Sequence, residues 1–403
     1  MNPKPLTAAG IAANNLKRKP FRTAGLIFLV AILAFTLFGG TVLAKNLDNG
    51  VQSLSERLGA DILAVPYGYE ANIQSALLRG EPSTFYFDGA MTGKIAGVEG
   101  VEKVSPQLYI ATLSAGCCSY PLQLIGFDPG TDFVIQPWLA GTLGHPLADG
   151  EIVVGSNINA QPGQKLKFFD RNFTVSARLD KTGMGFDTSV FMNLATARQT
   201  ARESERIQAH PVAGNGDLIS SVMVRIKDGR DVKEVANSIL QALAKEGVHV
   251  VVTKNMISDI SGSLRGISTY IYVLAGVLWA VAAGVLAIVF SVIVNERKRE
   301  FSVFRVLGAP KSTLAGMILC ESALVSLWGT VAGVAAAACV VFPFSTYIAS
   351  MLGLPYLQPS GGDILAAMAL SVLISFAVGP LASSYAAVKI GRSEIYAAMR
   401  EDG

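Results

Sequence analysis

The chain has 403 residues with 33 Lys and Arg against 30 Asp and Glu, a net charge of +3. Only 16% of residues are charged and the mean hydropathy is +0.44. A soluble domain carries nearer 25% charge, so the composition excludes an ordinary soluble enzyme, and the small net charge argues against a nucleic-acid binder.

In chain order, the first signal is a basic flank: Lys4, Lys17, Arg18, Lys19 and Arg22 in residues 1–23. An apolar run follows at 24–45, long enough to cross a bilayer at about 20 residues. It exceeds the roughly 7–15 residues of a signal-peptide core, and Thr41-Val42-Leu43-Ala44 is not a cleavage site of the A-x-A kind, so it reads as a retained anchor. Residues 46–268 return to mixed composition. Three more apolar runs follow at 269–294, 314–342 and 364–388, separated by a basic loop at 295–313 and an outer loop at 343–363. The chain closes with a tail at 389–403.

Short flanks rich in Lys and Arg mark the cytoplasmic side. The first flank, the 295–313 loop (Arg297, Lys298, Arg299, Arg305, Lys311) and the tail (Lys389, Arg392, Arg400) are basic, whereas 343–363 has no Lys or Arg. This predicts both termini inside and 46–268 outside. The basic flanks imply anionic lipid headgroups as partners rather than nucleic acid.

The predicted fold class is an α-helical membrane protein with four transmembrane helices and a large α+β domain inserted between the first and second. Alternation at Val222, Val224 and Ile226 predicts a strand at 221–226, and Val232, Val235, Ile239, Leu240 and Leu243 share a helical face over 231–245. A strand is expected at 248–252. The start of the insert echoes this unit, with strands at 61–65 and 101–113. The middle, 116–199, reads as short strands (122–126, 151–154, 173–179) between Gly and Pro turns. Two subdomains are inferred, one from both ends of the insert and one from its middle. Residues 256–268 read either as a helix running into the second span or as a flexible linker around Gly262 and Gly266.

The 295–313 loop carries the sharpest functional signal. As a helix it sets Phe301, Phe304 and Leu307 on one side, with Arg297, Glu300 and Arg305 elsewhere. Gly308 and Pro310 should end it, and Ser312 should cap the third span. Two readings stand side by side: a basic anchor on the lipid surface, or a docking element for a cytoplasmic protein.

Within the spans, Gly329 and Gly333 form a small-xxx-small pair suited to close helix packing. Glu321 is the lone acid inside a predicted span, about two turns from the inner side, where either snorkelling to the interface or a partner Arg would satisfy it; this favours a structural role over ion transport. Pro380 is expected to kink the fourth span or end its regular bonding. Cys320 and Cys339 read as small apolar residues. The adjacent pair Cys117 and Cys118 leaves three readings open: inert or disulfide-linked thiols, a redox role, or soft-metal or haem-related binding with Met184, Met192 or His145. His145, His210 and His249 are scattered, and no catalytic constellation emerges.

The run Asn295-Glu296-Arg297-Lys298-Arg299-Glu300-Phe301-Ser302-Val303-Phe304-Arg305-Val306-Leu307-Gly308-Ala309 resembles the E-R-x-R-E-[IF]-x-[IVT]-x-R-[AV]-[LI]-G-A signature of the FtsX/MacB-like (type VII) ABC transporter permeases. Further likenesses lie at Asn15–Thr23 before the first span and at Glu321–Gly329 with Gly333. Others are Gly379–Ala387 with Ala397–Arg400, and in the insert Gly59–Ile62 and Thr182–Asp187. Ser383 and Ser384 depart from the family, standing where basic residues are common. The Cys117-Cys118 pair is also foreign to the general signature.

The resemblance implies a non-catalytic permease subunit of the bacterial inner membrane, dimeric with an identical or related permease. A separate ABC ATPase would hold ATP and magnesium, and the chain itself has no G-x-x-x-x-G-K-[ST] phosphate loop. It implies ATPase coupling through Glu296, Arg297, Arg299, Glu300, Phe301, Phe304, Arg305, Leu307, Gly308 and Ala309, with Phe301, Phe304 and Leu307 filling a groove. The output would be movement of the outer domain for export or extraction of a substrate, or mechanical control of an extracytoplasmic hydrolase or sensor kinase. Metal- or haem-related transport through Cys117 and Cys118 is a further alternative.

Overall fold

The computed structural model describes residues 8–112, 118–141, 143, 145–208, 217–306, 308–345, 347 and 355–392. Leu307, Cys117, His210 and the tail beyond Arg392 lie outside the described residues. The chain divides into two compact units, Asn46–Leu264 with Thr346–Gln358, and the remaining helical segments.

The helical unit is built from α1 (Ala8–Arg18), α2 (Pro20–Leu58), α8 (Thr253–Glu296), α9 (Lys298–Val306), α10 (Lys311–Val341) and α11 (Gly361–Arg392). Four of these are long and apolar enough to cross a membrane. Their shared core includes Leu26, Val30 and Leu33 of α2, Leu286 and Phe290 of α8, Met317 and Val325 of α10, and Val378 of α11. The opposite faces carry Phe28, Val281, Ile288, Trp328 and Leu373, all exposed, as suits side chains solvated by lipid. Pro380 lies inside α11, which continues past it rather than ending.

α2 and α8 are longer than the predicted spans. No break occurs at Gly262 or Gly266, so the helix reading of 256–268 holds over the linker reading. The far ends of both helices belong to the inserted domain, where Leu54 and Leu58 of α2 and Met256 of α8 join its core.

That domain is organised by one nine-stranded mixed sheet. Its strands are β1 (Ile62–Pro66), β3 (Val101–Ala111), β4 (Gln123–Phe127), β5 (Glu151–Val154), β6 (Lys165–Phe168), β7 (Arg171–Arg178), β8 (Ser189–Asn193), β10 (Ser221–Ile226) and β11 (Val248–Val252). The order is β11-β1-β10-β3-β4-β8-β5-β7-β6. Both ends of the insert supply β11-β1-β10-β3 and its middle supplies the rest, so the two inferred subdomains are halves of one sheet. A short ribbon pairs β2 (Phe87–Asp88) with β9 (Leu218–Ile219).

Strands here are apolar on both sides because both faces are covered. Leu63, Tyr109, Ile125, Val153, Phe191 and Met223 point to one face, against α3 (Glu70–Arg79) and the ends of α2 and α8. Ile62, Val222, Val224 and Val250 point to the other, under α4 (Ala90–Ala96) and α7 (Val232–Ala242). On the middle half, Leu124, Val154, Val190 and Met192 pack under α6 (Leu194–Gln208). Asp231 caps α7 by accepting the Lys233 amide at 2.9 Å. The remaining helix, α5 (Gln136–Ala140), follows β4.

The Thr182–Asp187 turn is held by one buried carboxylate. Asp187 accepts the amides of Thr182 and Gly183, each at 2.7 Å, and the Thr182 hydroxyl at 2.9 Å. A hydrogen bond to a charged group contributes about 1.5–3 kcal/mol. Asp187→Ala should therefore destabilise the domain by at least that much, read as earlier proteolytic cleavage of the domain on heating the intact protein in detergent.

Candidate functional site

The basic loop forms a short helix between two spans. α8 runs almost directly into α9: the Arg297 amide donates to Ile293 O at 3.1 Å and the Phe301 amide to Arg297 O at 3.0 Å. Gly308, at φ 91°, then reverses the chain. Its amide reaches Arg305 O and the Ala309 amide reaches Phe304 O, both at 3.0 Å. A left-handed residue just past a helix is the conformation glycine adopts without a Cβ clash. Pro310 is extended (ψ 155°) and occupies the cap position of α10. This corrects the expectation for Ser312: it falls inside the first turn, and the cap position belongs to Pro310.

A buried polar cluster fastens this loop to the bundle. Glu321 of α10 is 3% exposed. Its Oε1 accepts Arg297 Nη1 at 2.8 Å and Asn15 Nδ2 of α1 at 2.6 Å. Arg297 also donates from Nε to Glu300 at 2.8 Å and lies over the Phe301 ring, 5.1 Å from its centre. One guanidinium thus joins the start of α9 to α10, and one amide adds α1. Nearby, Glu296 accepts Lys19 at 2.8 Å and Arg22 at 3.4 Å, both more exposed pairs.

The faces of α9 differ from those expected. Phe301 is 4% exposed and belongs to the bundle core, with Phe304 packed beside it. A side chain buried in the same cluster as Leu314 and Met317 is not available to fill a partner's groove. The face turned outward carries Arg299, Glu300, Val303 and Val306, with Val303 56% and Val306 72% exposed. Sequence periodicity identified an amphipathic helix but not which side its own bundle would claim; the signal missed was the second apolar pair, Val303 and Val306.

The other sequence candidates lie in the spans. A Cβ on Gly329 would come within 2.6 Å of Val30 Cβ and 2.8 Å of Ile27 O, and one on Gly333 would strike Ala31 O. Both glycines therefore mark a close approach of α10 to α2 within the chain. Immediately before Pro380, Gly379 lies against Ser322 O and the Ser326 hydroxyl of α10, and Ser383 donates to Ser322 Oγ at 2.7 Å.

Cys117 lies outside the described residues, and Cys118 is not gathered with all three of its expected partners. Cys118 packs half-buried on the cluster containing Met192, Met184 belongs to the cluster on the other sheet face, and His145 is exposed. Among the described residues no group of three or more His, Cys, Asp or Glu could hold a metal ion.

Residues 23–242 match the MacB-like periplasmic core domain family, more than half of the chain, and residues 272–389 match the FtsX-like permease C-terminal family. The chain belongs to the FtsX/MacB family of ABC transporter permeases. As such it is a multi-pass membrane protein with a large extracytoplasmic domain. An uncharacterized ABC transporter permease of Methanocaldococcus jannaschii is 24% identical over 194 residues, covering 47% of this permease and 44% of that relative. The permease thus spans less than half of that relative's length in the match. The periplasmic region of MacB from Actinobacillus actinomycetemcomitans is similar at 13% identity and TM-score 0.34, over 51% of this permease and 95% of that chain. The extracellular domain of the noncanonic ABC-type transporter YknZ from Gram-positive bacteria is similar at 13% identity and TM-score 0.28, over 48% and 98%.

Proposed function

We propose that this permease couples ATP hydrolysis by a separate ABC ATPase to movement of its extracytoplasmic domain, for export or extraction of a substrate. In this reading both termini and α9 lie in the cytoplasm, and two permeases, identical or related, sit over two ATPase subunits that carry ATP and magnesium. The chain itself is non-catalytic. The observation that carries the reading is α9: a short helix at the junction of two spans, clamped from below by Arg297 and Glu321, with Arg299, Val303 and Val306 turned outward. A rigid clamp on one side and a free apolar and basic face on the other suit a lever that receives a push.

Val303→Asp and Arg299→Glu change only the outward face. Each should leave the folded permease intact and lower its stimulation of the ATPase in a reconstituted complex by about tenfold, equivalent to about 1.4 kcal/mol of docking. Stimulation equal to wild type in both variants would remove α9 as the docking helix.

A further inference from the structure

The connection between the third and fourth spans carries a short segment, Pro355–Gln358, that belongs to the same compact unit as the inserted domain. Tyr356 is 2% exposed. Its hydroxyl is the partner of the Asn46 side-chain amide on α2. Its backbone amide donates to Gly183 O at 2.8 Å, and the Leu357 amide donates to Asn46 O at 3.0 Å. Burial pushes the Tyr356 phenol above its usual pKa, the Asn46 amide pulling the other way, so it stays neutral.

Two glycines make the seat. Gly50 lies on α2 one turn beyond Asn46, and a Cβ there would overlap the Pro355 carbonyl and lie 2.6 Å from the Tyr356 amide nitrogen. Gly183, at φ 74°, would press a Cβ to 2.8 Å from Tyr356 O. The Gly183 turn is the one locked by Asp187. The segment is therefore gripped by α2 on one side and by the Thr182–Asp187 turn on the other.

We infer that Pro355–Gln358 is a tether that ties the fourth span to the extracytoplasmic domain, with Tyr356 and Leu357 as its positioning residues. This rests on the coupling proposed above. The reach of the chain gives the tether its force. An extended chain covers at most about 3.6 Å per residue, so the four steps from Leu357 to the start of α11 at Gly361 span about 14 Å. The slack is less still, because Ser360 already serves the first turn of α11, accepting the Asp363 amide at 3.2 Å. The domain is continuous in sequence with α2 and α8; the tether adds α11, so displacement of the domain draws on three spans.

Gly50→Ala tests this, because alanine is the better helix former for α2 while its methyl evicts the segment. The permease is assembled with its ATPase in nanodiscs, with nitroxide labels at Lys227 of the domain and Leu373 of α11. In wild type the Tyr356 and Leu357 amides should resist hydrogen exchange and the label distance should be narrow with and without ATP. In Gly50→Ala exchange at both amides should rise by about tenfold or more, and the distance should broaden and become ATP-dependent. Protected amides or an unbroadened distance in Gly50→Ala would overturn the tether. ATPase stimulation in the same wild-type sample reports separately on the coupling itself: its absence would sink that reading whatever the distances show.

Discussion

Glu321→Ala should destabilise the helical bundle by about 3–5 kcal/mol, the usual consequence of leaving one member of a buried ion pair without its partner. The side chains involved are 3% exposed for Glu321 and 14% for Arg297. Removal of the carboxylate strands the Arg297 guanidinium and one Asn15 amide hydrogen at the same moment. Glu300 remains, yet it is largely exposed and engages only the Nε side. The loss should appear as a lower thermal midpoint in detergent and as faster tryptic cleavage within α9. The double variant Glu321→Leu with Arg297→Met separates stability from coupling. Apolar replacement of a whole buried pair is often neutral or stabilising, so the double variant should recover most of the midpoint. Its ATPase stimulation should stay low, because α9 has lost the link that transmits force to α10 and α1. Full recovery of both would reduce the cluster to a packing device.

The spans were legible because twenty-odd apolar residues with basic flanks admit few other structures. The strands at 151–154, 221–226 and 248–252 were legible for the same reason of pattern, since β-branched residues crowd short windows. The helix at Leu194–Gln208 was not, because after Leu194 its buried apolar stripe is built from Ala197 and Ala201. β8 is no easier to read, lying within the glycine-punctuated middle although all five of its residues are buried. At the site, the sequence singles out Glu321 and the Arg-rich loop, but leaves a partner Arg and snorkelling as equal ways to satisfy the acid; the structure supplies Arg297. The sequence could not say that Phe301 turns inward, since a helix of nine residues with apolar groups on two sides has two candidate faces. Nor could it show Tyr356 seated on Asn46, a contact across 310 positions that no local period encodes.

Gly333→Ala should destabilise the bundle, whereas Gly316→Ala on the same helix should be neutral or stabilising. By helix propensity alone both changes favour α10 by about 1 kcal/mol. The sign at Gly333 is reversed by what the methyl meets. The Ala31 carbonyl of α2 stands where the Cβ would be, and Ala34 Cβ is 2.8 Å away, while nothing lies within 4 Å at Gly316. A flexible side chain could swing aside from such an overlap, but a backbone carbonyl on a helix moves only with the helix. α2 and α10 must therefore separate, and overpacking of this kind costs about 1–3 kcal/mol even in adaptable cores. Gly333→Leu should exceed that range, and adding Gly329→Leu, which meets Ile27 O on the same seam, should leave little folded bundle. Thermal midpoints in detergent rank the four variants. A midpoint for Gly333→Ala at or above wild type would mean that α10 does not approach α2 through this seam. Ala34→Gly offers a sharper check: it removes the neighbouring methyl and leaves the Ala31 carbonyl in place, so it should rescue Gly333→Ala only in part.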